Sequence, residues 1–216
     1  MKKHLVLMVV LALVLGCATP QTKTEEGTRK GVAIGAIGGA VIGQIIGGNT
    51  QATLIGAGIG ALAGGAIGRS YGKKMDEQEA AMRRQLAAIE EAKVQRNADV
   101  LAVTFMSDML FDIGSAKLKP GSKEQIRLVS SVLTKYTDTA ILIVGHTDST
   151  GSAAFNQQLS ELRASNVKLA IVEQGVHPSR IKTVGFGAST PLADNGTDKG
   201  RRLNRRVVIT ISEQQA

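Results

Sequence analysis

A chain of 216 residues with a formal charge of +8 has room for one ordinary domain plus appendages. Its basic balance suits acidic polymers or anionic lipid headgroups. Aromatics make up only 3% and tryptophan is absent, so the stacking platforms that single-stranded nucleic acid needs are scarce, and no nucleic-acid partner is expected.

The first sixteen residues read as an export signal: Lys2 and Lys3, an apolar run from Leu5 to Leu15, then Gly16 ahead of Cys17. Such a run is too short for a membrane span of ~20 residues. "VLGC" at Val14–Cys17 resembles a bacterial lipobox, with Val14 where that pattern prefers Leu. The resemblance implies cleavage before Cys17, a diacylglyceryl group on its sulfur and acylation of the new amine. Ala18 follows rather than Asp, which under the same resemblance favours the outer membrane. Two or more acyl chains anchor stably where one does not. Cys17 is the only cysteine, so no internal disulfide is available. No cofactor is expected beyond the covalent lipid.

Residues 17–30 are polar and read as a tether. In residues 31–72, glycine recurs every fourth position, at Gly31, Gly35, Gly39, Gly43 and Gly47, then again at Gly56, Gly60, Gly64, Gly68 and Gly72. A spacing of four places each ladder on one helical face. Each glycine inside a helix costs roughly 0.8–1 kcal/mol against alanine, so helices here require close packing, which glycine faces permit in lipid. Two readings stay open: a packed glycine-zipper hairpin, able to self-associate and touch lipid, or a Gly/Ala-rich linker. Residues 73–98 are rich in helix formers and lack Gly and Pro, with a weak stripe at Met75, Met82, Leu86, Ile89 and Lys93. They read as a solvated connecting helix or a short coiled coil. At ~1.5 Å per residue, it would hold the next domain roughly 35–40 Å away.

From 99 to 214 strand and helix patterns alternate. Strands are expected at Val100–Phe105, Thr139–Gly145, Ile181–Gly187 and Arg205–Ile211. One helix enters at Pro120 with Ile126, Val129, Leu133 and Tyr136 on one face. A second runs from Asn156 to Gly175, a typical C-cap glycine. The order β-α-β-α-β-β predicts an α+β sandwich, two helices on a mixed four-stranded sheet. On the second helix Leu159, Leu162, Val167, Ala170 and Ile171 form the sheet-facing stripe, and Arg163 falls inside it. A buried arginine is rarely left unpaired. Asp148, at the end of the preceding strand, is the nearest acidic candidate. The two either converge on one cleft or form an ion pair that staples strand to helix.

Thr147, Asp148, Gly151, Asn156, Leu159, Ser160, Arg163, Ala164 and Val167, with Phe111–Asp112 and "NRRVVITI" at Asn204–Ile211 as flanks, resemble the signature of the OmpA C-terminal-like peptidoglycan-binding family. The resemblance covers roughly residues 100–212. With the lipobox and ladders, the whole chain resembles the glycine-zipper outer-membrane lipoproteins. It implies that the cleft holds the diaminopimelate residue of a peptidoglycan stem peptide, Asp148 taking its ammonium and Arg163 clamping its carboxylate. Asn156 and Thr147 would line the pocket, Phe111 and Asp112 would form its wall, and Arg206 rather than Arg205 would add a second cation. The implied function is to tether the outer membrane to the wall. The competing reading is a membrane-active protein that oligomerises through its glycine ladders and is only positioned by the wall-binding domain.

A third class, a motor stator that grips the wall, would need an inner-membrane span near the N-terminus, which the lipobox resemblance argues against. A hydrolase is also to be weighed, because "VGHTDSTG" sets His146, Asp148 and Ser149 close together. His146 and Asp148 lie two apart and would point the same way from a strand, with Ser149 pointing elsewhere. No nucleophile elbow accompanies them. Three scattered histidines offer no metal-ligand spacing. The residues favour holding over cutting, and no enzyme activity is expected.

Overall fold

A computed structural model describes residues 72–90, 92–97 and 100–213; the export signal, Cys17, the tether and the ladders up to Gly68 lie outside them. In chain order the elements are α1 (Gly72–Leu86), β1 (Ala92–Asn97), β2 (Val100–Met106), α2 (Ser107–Leu110), α3 (Ser122–Leu133), β3 (Thr139–Gly145), α4 (Ala153–Glu173), β4 (Ile181–Gly185), α5 (Asp198–Asn204) and β5 (Arg206–Glu213). The strands form one mixed sheet in the order β1-β2-β5-β3-β4. All neighbouring pairs are antiparallel except β3 and β4, which α4 joins by the crossover that parallel pairing requires.

One face of the sheet meets the helices. Leu101, Val103 and Phe105 of β2, Ile141 and Ile143 of β3, and Val207, Ile209 and Ile211 of β5 pack there against Ile126, Val129 and Leu133 of α3 and Val167 and Ile171 of α4. Residues of the other parity, Ala102, Val144 and Val208, form a smaller cluster on the opposite face. The strand alternation of two and the helical spacing of three and four therefore converge on one core. On α4 the expected stripe holds for Leu159, Val167, Ala170 and Ile171, but Leu162 is 47% exposed. The helix begins three residues earlier than expected, because the Ser152 side chain accepts the Phe155 N–H as an N-cap.

The stretch read as a spacer, 73–98, divides instead. Its second part is β1, a fifth strand whose even-numbered residues Ala92, Val94 and Arg96 are partly buried while Lys93, Gln95 and Asn97 are exposed. A period of two was present there, masked by residues that are also good helix formers. Its first part, α1, packs on α3. Met75, Met82 and Leu86, at most 3% exposed, join the main core. This helix is part of the domain and holds nothing at a distance. Also unanticipated are α2, α5 and a 3-10 turn at Pro178–Arg180. Among the described residues no helix is long and apolar enough to cross a membrane.

Because Met82 is fully buried, Met82→Ala should destabilise the domain by ~2–5 kcal/mol, read as a lower urea midpoint. A solvated spacer helix would leave the midpoint unchanged.

Candidate functional site

The close seating of α4 builds the site. Gly145 and Gly185, partners in the β3–β4 register, both lie under Ser160. A Cβ on Gly145 would collide with the Ser160 carbonyl, and one on Gly185 with its hydroxyl. Only hydrogen at these positions lets the helix approach so closely. Ser160 in turn accepts the Gly187 N–H at 2.9 Å. The N-terminal half of α4 is thereby pinned against the ends of β3 and β4, and a cleft of about 300 Å³ opens beside it.

Asp148 lies in this cleft and is 6% exposed. Its Oδ1 accepts the Thr150 N–H at 2.9 Å and its Oδ2 accepts Arg205 Nη1 at 2.6 Å. Burial alone would raise its pKa, but the bonds from Arg205 and Thr150 outweigh it, holding the carboxyl below its ordinary range. Arg163 is 3% exposed and lines the same cleft. Its Nε donates to the Ser115 carbonyl at 2.9 Å and its Nη2 to the Asp112 carbonyl at 3.3 Å. The guanidinium stands 5.1 Å from the centre of the Phe111 ring, within cation–π range. Burial, then the like charge of Arg205, lowers its pKa to about 10, and Asp148 opposes the shift. The two residues do converge on one cleft, but Asp148 spends its charge on Arg205, so the pair is not a staple between strand and helix.

Asn156 and Thr147 are also in the lining. The Asn156 amide donates to the Thr150 carbonyl at 3.0 Å and shapes the loop that carries Asp148. Thr147 is tied by its N–H to the Gly187 carbonyl at 2.8 Å. Phe111 is a buried wall residue. Asp112 contributes through its carbonyl, its side chain being 78% exposed and 3.5 Å from Lys119.

Arg206 is a correction. It is 1% exposed, absent from the cleft, and donates to the carbonyls of Asn204 and Thr190 at 3.2 Å each. Burial lowers its pKa to about 10. It shares parity with Val208, on the sheet face away from the helices. Arg205 shares parity with Val207, Ile209 and Ile211, which face them. That signal was legible: the all-apolar parity of β5 marks the helix side, and Arg205 belongs to it.

Pattern reading also missed Ser107 and Asp108 on α2 and Arg201 on α5, all cleft residues. The Ser107 and Thr147 hydroxyls and Asp108 Oδ1 are buried without a hydrogen-bond partner, while Asp108 Oδ2 accepts Arg202 Nε at 2.9 Å. Buried polar atoms at a cleft are met by ordered water or by a bound group.

The histidine of the same loop sits elsewhere. The strand ends at Gly145, so His146 and Asp148 do not share a direction. His146 is 1% exposed, 2.9 Å from the Thr190 hydroxyl and 5.7 Å from the Phe186 ring. Ser149 meets Asn195 through its N–H at 3.1 Å. No nucleophile–base contact links the three. Among the described residues no cluster of three or more His, Cys, Asp or Glu side chains could hold a metal. Burial, then Arg206, pushes the His146 pKa well below 6.5. The unfolded chain therefore takes up a proton there that the folded chain refuses, and stability falls as pH drops below about 6.5. His146→Gln should remove up to ~1.4 kcal/mol per pH unit of that slope, read from urea unfolding between pH 7 and 5.

Comparison with known proteins places these features. Residues 110–205, which carry Phe111, Asp148, Arg163 and Arg205, match the model of the OmpA family, and residues 1–72 match that of the YMGG-like Gly-zipper. The chain is 40% identical over 141 residues to "Probable lipoprotein YiaD" of Escherichia coli (strain K12), covering 65% of this chain and 64% of that one. It is 32% identical over 127 residues to the outer-membrane lipoprotein YfiB of Pseudomonas aeruginosa, covering 59% of this chain and 76% of that one. Among solved structures, the cell wall anchor of the T6SS from Pseudomonas aeruginosa superposes with a TM-score of 0.56 at 28% identity, over 61% of this chain and 96% of that one. The chain covers less than two thirds of the length of several relatives, YiaD among them. On its cleft, its fold and these matches, the chain belongs to the OmpA family.

Proposed function

We propose that this protein is a lipid-anchored outer-membrane tether whose periplasmic domain clasps the diaminopimelate residue of a peptidoglycan stem peptide without chemistry. One observation carries the reading: Asp148 and Arg163 are both buried in one cleft, and each retains hydrogen-bonding capacity. Each oxygen of the Asp148 carboxylate accepts one bond and keeps a second lone-pair site for an ammonium. Arg163 spends Nε and one Nη2 hydrogen on carbonyls, leaving Nη1 for a carboxylate. Arg205 lines the same cleft and stays bonded to Asp148 at 2.6 Å. A zwitterionic amino acid offers an opposite charge to each side chain, whereas a purely anionic or cationic ligand leaves one unmatched.

The placement of α1 supports a tether. Lys74, near its start, bonds Asp138, just before β3, at 2.9 Å, and Asp148 lies just past the other end of that strand. At ~3.3 Å per residue, the seven residues of β3 separate these points by roughly 23 Å. The chain thus arrives from the anchor side at one end of the sheet and presents the cleft at the other. The chain's similarity to a cell wall anchor and to outer-membrane lipoproteins supports this reading.

Two measurements test it. Full-length protein in detergent should cosediment with diaminopimelate-type peptidoglycan, and Asp148→Ala and Arg163→Ala should each bind at least about tenfold more weakly while keeping the wild-type circular dichroism. Each removes a charge-assisted contact of ~1.5–3 kcal/mol. Equal pelleting of all three would refute the clamp. Cys17→Ala should leave the chain without its acyl mass and shift it from the outer-membrane to the soluble periplasmic fraction.

A further inference from the structure

We infer that a second cavity, between α1 and the turn joining α3 to β3, binds a small ligand through its secondary amide, with Gln78 as the recognising side chain. The cavity measures about 240 Å³ and is walled by Lys74, Met75 and Gln78 of α1 and by Lys135, Tyr136 and Asp138 of the turn. It lies at the opposite end of β3 from the Asp148 cleft, and its α1 wall precedes residues 110–205, the segment matched to the OmpA family.

Gln78 is the reason to expect an occupant. It is 1% exposed, and neither its Nε2 nor its Oε1 has a hydrogen-bond partner. It falls on the stripe Met75, Gln78, Met82, Leu86, at spacings of three and four, where every other member is apolar and buried. A helix that only needed to pack would carry leucine or methionine there. A carboxamide stripped of water with both its donor and its acceptor idle is costly to keep.

The complement to those two atoms is a group that offers an acceptor and a donor side by side. A hydroxyl can engage both atoms only by bridging them, and a carboxylate or phosphate repels Oε1. A trans secondary amide turns its C–O and N–H to opposite edges, so its N–H pairs with Oε1 while a neighbouring oxygen, a ring hydroxyl or the next carbonyl, accepts from Nε2. Net charge is not demanded of the ligand, because the charged residues of the wall balance, Lys74 and Lys135 against Glu77 and Asp138, with Lys74 and Asp138 paired at 2.9 Å. Tyr136 and Met75 supply apolar surface for a methyl group or a sugar face. The volume lies below the ~300–1,000 Å³ of pockets that take drug-sized ligands, so it suits one acylated sugar or one acylated amino acid. The Lys74–Asp138 pair stands on the exposed side of the cavity, with its side chains 59% and 54% accessible. Such a pair contributes little to stability and yields to an entering ligand.

An acetamido sugar, with a ring hydroxyl beside its N–H, and an N-acyl amino acid amide both offer this pair, and the test separates them. Full-length protein in detergent, with its glutamine side-chain amides labelled with ¹⁵N, is titrated with N,N′-diacetylchitobiose, with chitosan dimer lacking the acetyl groups, and with N-acetylalanine methylamide. The Gln78 amide signal should shift with at least one acetylated probe and not with the unacetylated dimer. A response to chitobiose alone assigns the glycan, and a response to the alanine amide alone assigns the peptide. Gln78→Leu should weaken that binding at least tenfold, while Arg163→Ala should leave it unchanged, so the site stands or falls independently of the cleft. If neither acetylated probe moves the signal, if the unacetylated dimer moves it equally, or if Gln78→Leu binds as tightly as wild type, the inference is overturned.

Discussion

The contact on which the site depends is the seat of α4 on a pair of glycines. Gly145 and Gly185 face each other across β3 and β4, and the backbone and hydroxyl of Ser160 occupy the space that side chains would fill. Any side chain at either position lifts the helix, and with it Asn156 and Arg163, away from the loop that carries Asp148. The cleft therefore rests on an absence of atoms at two positions more than on any one attraction. Packing at this closeness transmits displacement instead of absorbing it, so a distant overpacking mutation along α4 acts on the cleft by moving its wall.

The charges reinforce that geometry in an asymmetric way. Arg163 and Arg206 are both buried and both have pKa values lowered to about 10 by that burial, yet they do different work. Arg206 is enclosed among backbone carbonyls on the far face of the sheet and behaves as a fixed strut. Arg163 is held by two carbonyls and an aromatic ring, with its remaining donors turned to a cleft that contains a carboxylate. Removing a buried charge's partner is more damaging than never having had the charge. A ligand carboxylate at Arg163 would therefore relieve a cost already present in the folded state, which is how a small cleft can bind with specificity.

Much of this was legible in the sequence. The period of three and four placed Ile126, Val129, Leu133, Val167 and Ile171 on the helix faces they occupy, and the single arginine inside the second stripe pointed to the cleft. The misreadings share one physical origin: local composition was trusted where tertiary pairing decides. Ala92–Asn97 has helix-forming residues but pairs with β2, which supplies an edge for it to join. Arg205 and Arg206 differ only in parity, and the phase is set by which face of β5 the helices cover. Ser107 and Asp108 carry no signal in isolation; they enter the cleft because α2 turns the chain back immediately after β2.

The incorporation of α1 and β1 into the domain changes how a tether would bear load. Force entering at the start of α1 reaches α3 and β1 through Met75, Met82 and Leu86, while force at the cleft enters through the far end of β3. The two points lie at opposite ends of a strand that is flanked by β5 on one side and β4 on the other. Tension along that line shears the inter-strand hydrogen bonds together instead of opening them one after another. A spacer helix would have left the domain to be pulled from its first core strand, at the edge of the sheet. With β1 paired to β2 and α1 packed on α3, the pull is distributed over the core that the cleft itself depends on.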